Sequence, residues 1–358
     1  MLKDRRTHLR ISWHIQSKWF GLSDSVADLG EDRVRDIISS HLEKDSSEIL
    51  GYGDDAVAFE ISKDQLLVLH TDALVGSTDI LPGMTSYDVG RKAVVMNVSD
   101  LLAKGVKPRS AIFSWGITRE YTAPILTEIA DGMNRTAREC GIHITGGDTG
   151  ESSDFFLSGA VFGMVDRSKL LRRSTVKPGH IIATTGPFGL TGIAYRILLQ
   201  GAAVTPQIRD KALEAAYRPR LRFSEANAIA ETGSASAGID SSDGLARSLH
   251  WLAKMSRVGF IVDNLPVAEE VKQFGLANKV DYINLALYEG GEEYELIFSI
   301  SQDNWTAALD AVEHVGGKLY RLGVATSDPQ ITLDLRNMPK RQIEDIGWRH
   351  FTQWKRPS

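Results

Sequence analysis

Residues 87–108 read YDVGRKAVVMNVSDLLAKGVKP, and how this stretch is read decides the fold. It predicts one buried helix. Thr85 or Ser86 can cap it, Asp88 falls in its first turn, Lys104 in its last, Gly105 follows, and Pro108 blocks continuation. Almost every face between these signals is apolar, which places the helix inside a packed domain. Asn97 and Asp100, three apart on one face, then need partners or a bound ion to offset their desolvation. One answer is local, because Lys104 stands at i+4 from Asp100 and can pair with it. The other is a cation held jointly with acids from elsewhere.

The neighbouring sequence changes period. Val57, Phe59 and Ile61 alternate after Gly53-Asp54-Asp55, and Leu66 to Leu69 form a second strand ending at His70-Thr71-Asp72. Downstream come a strand at Ser110 to Ile117, a helix from Pro124 to Glu139, the turn sequence Gly146-Gly147-Asp148-Thr149, and a strand at Phe155 to Val165. The charged run before Pro178 marks a boundary, after which strands and helices resume. The expectation is a mixed α/β chain: an N-terminal extension (1–29), an N-terminal domain (30–166) and a C-terminal domain (167–358). A length of 358 residues fits two cores better than one.

Composition removes several classes. The net charge of -5 and the lack of a basic, aromatic-rich stretch argue against nucleic-acid binding. The single cysteine, Cys140, excludes an intrachain disulfide and a cysteine zinc site, and fits a reducing cytoplasm. No apolar run approaches the length of a membrane span. Residues 1–20 are basic and read as a loose tail or an extended start rather than a targeting peptide.

The chemistry lies in the acids. Each of GDD, GGD and SDG alone is a favoured turn sequence. Asp54, Asp55, Asp72, Asp148, Asp240 and Asp243 nevertheless all read as element ends beside Gly, Ser or Thr. If those ends converge, their repulsion calls for a hard divalent cation, and oxygen-only ligands suit Mg²⁺ better than zinc. Mg²⁺ on carboxylates points to phosphate chemistry. There is no GxxxxGK[ST] loop, so a nucleotide must be gripped by metal ions, backbone amides such as those at Gly146-Gly147, and cations, of which Arg172 and Arg173 are best placed. The acids alone would equally permit a metal-dependent phosphohydrolase.

In order along the chain, GDDAV, TDALV, RKAVVMNVSDLLAKG, GGDT, RRS…KPG, IDSSDGL and GGEEYEL resemble the thiamine-monophosphate kinase family. The resemblance implies a two-domain fold like that of aminoimidazole ribonucleotide synthetase, with mixed sheets, helices packed on one side in each domain, and a homodimer joined through the N-domain sheets. It implies ATP- and Mg²⁺-dependent phosphorylation of thiamine monophosphate to thiamine diphosphate. Several Mg²⁺ ions would fall on Asp55, Thr71, Asp72, Asp100, Asp148, Asp240 and Asp243, with Asp55, Asp72, Asp100 and Asp148 central to catalysis. ATP contacts fall on Gly147, Asp148, Arg173 and Ser242, and substrate contacts on Glu292 and Trp348. Where many members have Ser, this chain has His70, so a metal contact there requires the backbone. Asp79 replaces a substrate-contacting His of many members, and Glu293 replaces the usual Asp of GGED. Because a phosphate monoester has a second pKa near 6, the acceptor needs no general base, and direct transfer without a phosphoenzyme is expected. The rival readings are another ATP-dependent enzyme of the same superfamily and the phosphohydrolase.

Overall fold

The computed structural model describes residues 25–351 apart from Lys44 and Tyr52; the basic segment 1–20 lies outside the described residues. The described residues divide into two compact units, 25–42 with 349–351, and 43–348. The first unit holds α1 (Val26–Ser40), which is broken at Gly30 (φ 71°, ψ 166°). At its start the N–H and hydroxyl of Ser25 donate to Asp28 Oδ2 (2.9 and 2.6 Å).

The larger unit begins with β1 (Val57–Glu60), β2 (Gln65–Val75), the single turn α2 (Gly76–Asp79), α3 (Ser86–Ala103), β3 (Lys107–Ile117), α4 (Ala123–Glu139), β4 (Ile144–Glu151) and β5 (Phe156–Asp166). These strands form a five-stranded sheet in the order β1-β2-β5-β3-β4, antiparallel except for β3 with β4. Alternation along β2, β3 and β5 sends one set of side chains into the core with α3 and α4 and leaves the other set largely open. Leu69, Ile112 and Met164 are 38%, 49% and 48% exposed, so the open side is partly apolar.

The chain continues through β6 (Ile181–Thr184), α5 (Leu190–Gln200), α6 (Pro206–Tyr217), α7 (Phe223–Thr232), β7 (Ala235–Ser241), α8 (Leu245–Ser256), β8 (Gly259–Val262) and α9 (Glu269–Asn278). It then adds α10 (Tyr282–Asn284), β9 (Glu295–Ile300), α11 (Trp305–His314), β10 (Tyr320–Thr326), β11 (Ile331–Leu333) and β12 (Arg341–Gln342). These seven strands form a sheet ordered β12-β11-β8-β10-β6-β9-β7. The two-domain mixed α/β expectation holds, with one refinement. β9 is buried on both faces: Leu296, Phe298 and Ile300 join a core with α3, α7 and α11, whereas Ile297 joins a core with α8.

α3 is therefore shared by both sheets. Its cap forms as the sequence predicts: Asp88 N donates to Thr85 Oγ1 (3.2 Å) and the Thr85 hydroxyl donates to Asp88 Oδ2 (2.6 Å). It crosses α4 closely at Gly90, where a Cβ would meet the Ile129 carbonyl oxygen at 2.0 Å. At its other end it abuts β7, where a Cβ on Gly238 would meet the Ala103 carbonyl oxygen at 2.2 Å.

Two expectations need correction. β2 does not end at His70-Thr71-Asp72 but runs through them to Val75, because β5 pairs with it along its full length, to Val75 opposite Phe156. The Gly146-Gly147-Asp148-Thr149 sequence is not a turn: it lies inside β4, paired in parallel with Ile112 to Trp115 of β3.

The contact at Gly238 gives a test. Gly238→Ala should force α3 and β7 apart and cost about 1–3 kcal/mol, as overpacking does. Thermal unfolding should show a clearly lower Tm, and an unchanged Tm contradicts the close approach.

Candidate active site

The carboxylates gather at the C-terminal end of α3. Asp54 and Asp55 arrive on the loop before β1, Asp100 from the last turns of α3, Asp72 from β2 and Asp240 from the end of β7. The carboxylate oxygens of Asp55, Asp100 and Asp240 lie within 4.8 Å of one another, as do ligand atoms of His70, Asp72 and Asp100. Asp100 belongs to both groups, so it is the hinge of the cluster.

Lys104 does not take the role its i+4 spacing suggests. Its ammonium is fully buried and lies 2.7 Å from Asp54 Oδ1, 2.5 Å from Asp55 Oδ2 and 2.7 Å from the Gly238 carbonyl oxygen. Burial disfavours this charge, but Asp54 and Asp55 outweigh it and raise the lysine pKa. On the other side of Asp55, Arg173 ion-pairs with Oδ1, donates from Nη1 to the Gly53 carbonyl oxygen (2.9 Å), and offers its backbone N–H to Asp54 Oδ2 (3.1 Å). Its guanidinium carbon also lies 5.6 Å from the centre of the Trp251 ring. Burial opposes ionisation of Asp55, yet Arg173 and Lys104 hold its pKa below the usual carboxylate value.

Asp100 is partnered by His70 instead, with Nε2 3.1 Å from Asp100 Oδ2. The His70 Nδ1 faces the Asp55 carbonyl oxygen and must donate to it, so a neutral ring directs its Nε2 lone pair at Asp100. Burial lowers the His70 pKa despite Asp72 nearby. Burial, followed by the charges of Asp240, Asp55 and Asp72, raises the Asp100 pKa well above its usual value. Asp240 accepts from the Ser99 hydroxyl (2.9 Å), and burial with Asp55 nearby pushes its pKa up to about 7. Carboxylates whose charge is disfavoured by burial and by one another are a fitting nest for a divalent cation. The donors Asp55, Asp72, Asp100 and Asp240 are hard oxygens, with the His70 ring itself, not only its backbone, facing the cluster.

A second group surrounds the N-terminal half of α3. Glu292 ion-pairs with fully buried Lys92 and accepts from the Tyr195 hydroxyl (2.8 Å). Lys92 also donates to the Asp79 carbonyl oxygen (2.8 Å), and Asp79 Oδ2 accepts from Val75 N (2.6 Å). Burial raises the Asp79 pKa, with Glu292 adding to the effect. Trp348, 45% exposed, donates its backbone N–H to the Asp243 carbonyl oxygen (3.0 Å), next to the Glu292 N–H that donates to Ser242 (2.6 Å). Asp79 and Glu292 thus meet at Lys92, and the backbones of Glu292 and Trp348 are tied to Ser242 and Asp243, which follow Asp240 closely in the chain. Sequence reasoning passed over Lys92, Tyr195 and Ser99; the available signal for Lys92 was a lysine inside a helix apolar on every side.

Gly147 and Asp148 stand elsewhere within the chain. Asp148 is opposite Ser114 on β4, exposed on the open side of the sheet, and β5 and β3 separate its strand from β2. Three strand spacings put it about 14 Å from the Asp72 strand. The Thr71 hydroxyl donates to the Gly159 carbonyl oxygen (2.7 Å) and alternates to the side opposite Asp72. Asp243 is 3.4 Å from Arg247 Nε rather than in either carboxylate triad.

The raised pKa values dictate a pH response. Asp240 binds its proton in the folded state up to about pH 7, whereas its reference value is 3.8. Its contribution to stability is therefore full below that reference and is lost as pH rises through about 7. Metal-free protein should lose Tm between pH 5 and pH 8, and Asp240→Asn should flatten the loss. An equally steep loss in the variant contradicts the assignment.

With the geometry in hand, comparisons identify the lineage. The family model for the AIR synthase related protein, N-terminal domain, matches residues 53–165, and that for the C-terminal domain matches residues 177–336. The thiamine-monophosphate kinase of Nitrosopumilus maritimus is 33% identical over 291 residues, covering 80% of this chain and 90% of its own. That of Pyrococcus horikoshii is 36% identical over 274 residues, covering 76% and 84%. The crystal structure of thiamine-monophosphate kinase from Stenotrophomonas maltophilia superposes with a TM-score of 0.68 at 26% identity, over 87% of this chain and 97% of that one. AaThiL complexed with AMPPCP and TMP gives a TM-score of 0.80 at 24% identity, over 92% and 100%, a likeness of fold. The chain belongs to the thiamine-monophosphate kinase family, on a fold of two AIR synthase-related domains.

Proposed function

We propose that this chain transfers a phosphoryl group from ATP to thiamine monophosphate, forming thiamine diphosphate, with Mg²⁺ as the required metal. The observation that carries this reading is the meeting of Asp55, Asp100 and Asp240 in a chain of this family. Bound there and at Asp72, Mg²⁺ would neutralise the phosphates of donor and acceptor and align them for in-line attack. The chain's own part is to hold the carboxylates in place and compensate their charge, through Lys104 and Arg173 beside Asp55. Arg173 is also the cation best placed to meet ATP phosphates. The acceptor phosphate is largely dianionic at neutral pH, so no side chain need remove its proton, and transfer is direct. Asp79, Glu292 and Trp348 receive the organic end of the substrate. A phosphohydrolase reading has no observation in its favour.

The working molecule in this proposal is a homodimer joined through the open side of the five-stranded sheet. Exposed Leu69, Ile112 and Met164 on that side support it. So does Asp148, which faces the same side, away from its own chain's cluster; association would let a second copy supply Gly147 and Asp148. We take 30–166 and 167–358 as the two domains, since one sheet is built from strands between 57 and 166 and the other from strands between 181 and 342. Among the described residues no helix is long and apolar enough to cross a membrane, and we place the enzyme in the cytoplasm, where ATP and Mg²⁺ are supplied.

One experiment addresses reaction and assembly together. Wild-type protein with ATP, Mg²⁺ and thiamine monophosphate should form thiamine diphosphate and sediment as a dimer, while thiamine as acceptor gives no product. Ile112→Glu should sediment as a monomer and lose most activity. Absence of thiamine diphosphate from the wild type overturns the function, and a fully active monomer overturns the shared site.

A further inference from the structure

Glu292 sits in a backbone conformation that side chains other than glycine rarely adopt (φ 57°), and Tyr294 two residues on does the same (φ 50°). Such strain persists only where surrounding contacts over-determine it. Here three elements do so. The Glu292 N–H donates to the Ser242 carbonyl oxygen (2.6 Å), Oε2 accepts from the Tyr195 hydroxyl (2.8 Å), and Oε1 pairs with Lys92. The Tyr195 hydroxyl also lies 3.2 Å from the Gly291 carbonyl oxygen, and Lys92 is tied by the Asp79 carbonyl oxygen (2.8 Å). Lys92 comes from α3, Tyr195 from α5, and Asp79 from the turn after β2, so the carboxylate is fixed from both halves of the molecule.

The energetics argue that this arrangement serves the carboxylate rather than the lysine. The Lys92 side chain is fully buried, while Glu292 retains 23% exposure. Burying an ammonium is costly, and an apolar residue of similar size would stabilise α3 at least as well. What the lysine supplies, with Tyr195, is a carboxylate held in one orientation. Each oxygen of Glu292 has one partner and keeps lone-pair capacity for another donor.

We propose that Lys92 and Tyr195 are positioning residues for the acceptor substrate. They lock Glu292 so that its remaining lone pairs form a preset hydrogen-bond acceptor for the heteroaromatic end of that substrate, while the metal end handles the phosphates. The proposal rests on the reading of Glu292 as a substrate contact. Locking removes the ordering cost that a free glutamate would meet on binding, so its loss should weaken acceptor binding and leave ATP binding alone.

The test is steady-state kinetics with thiamine monophosphate and ATP varied separately. Thiamine diphosphate formation by the wild type is the first reading; its absence disposes of the kinase assignment itself. With an active wild type, Tyr195→Phe removes one oxygen and should raise KM for thiamine monophosphate about tenfold, with KM for ATP within about twofold and Tm little changed. Lys92→Met should act in the same direction and more strongly. In a Glu292→Gln background, Tyr195→Phe should add little, because the carboxylate it holds is gone. An unchanged KM for thiamine monophosphate in Tyr195→Phe overturns the proposal, even if Lys92→Met fails to fold. So does an equal rise in both KM values, or full additivity of the Tyr195 and Glu292 effects.

Discussion

The Lys104 ammonium, buried between Asp54, Asp55 and the Gly238 carbonyl, is the contact on which the rest of the site depends. It ties the loop before β1 to the strand β7 of the other sheet, with the end of α3 between them. Losing one member of a fully buried ionic group leaves the others uncompensated and costs about 3–5 kcal/mol, so the three elements are held together or not at all. That constraint is what brings Asp240 to Asp55 and Asp100. The burial, and with it the crowding, that raises the Asp100 and Asp240 pKa values is its consequence, and a divalent cation would be the physical remedy.

α3 acts as a ruler between two chemistries. Lys92 and Lys104 are twelve residues apart, about 18 Å along a helix. The first grips the Glu292 carboxylate, the second the carboxylates of Asp54 and Asp55, and Asp100 stands just short of the latter. Asn97 lies between, accepting from Asp72 N (3.0 Å) and so fixing β2 against the helix. A rigid helix buried in both cores keeps the two ends at constant separation, as the proposed phosphoryl transfer between two bound substrates would require.

Much of this was legible in the sequence because the signals were local. The Thr85 cap, the apolar faces of α3 and the period-two strands each depend on residues close in the chain. The number of acid clusters pointed to carboxylates meeting in space, and Asp55, Asp100 and Asp240 do meet. What the sequence could not give was pairing across distance. The i+4 spacing puts Lys104 and Asp100 on one face, yet the loop acids reach the lysine first and His70 takes Asp100. The GGDT sequence has turn composition, but its pairing with β3 makes it a strand, and the order β1-β2-β5-β3-β4 sends Asp148 away from Asp72. The helices α6 and α9 bury only three residues each, so their apolar pattern is too sparse to read.

The central claim is that α3 holds Asp100 where carboxylates from both halves can share a divalent cation. Crystals soaked in Mn²⁺, which scatters anomalously and takes similar oxygen ligands, test it most directly. The account predicts an anomalous peak within coordination distance of Asp100 and of Asp55 or Asp240. Peaks confined to other places on the molecule, with none at Asp100, would contradict it.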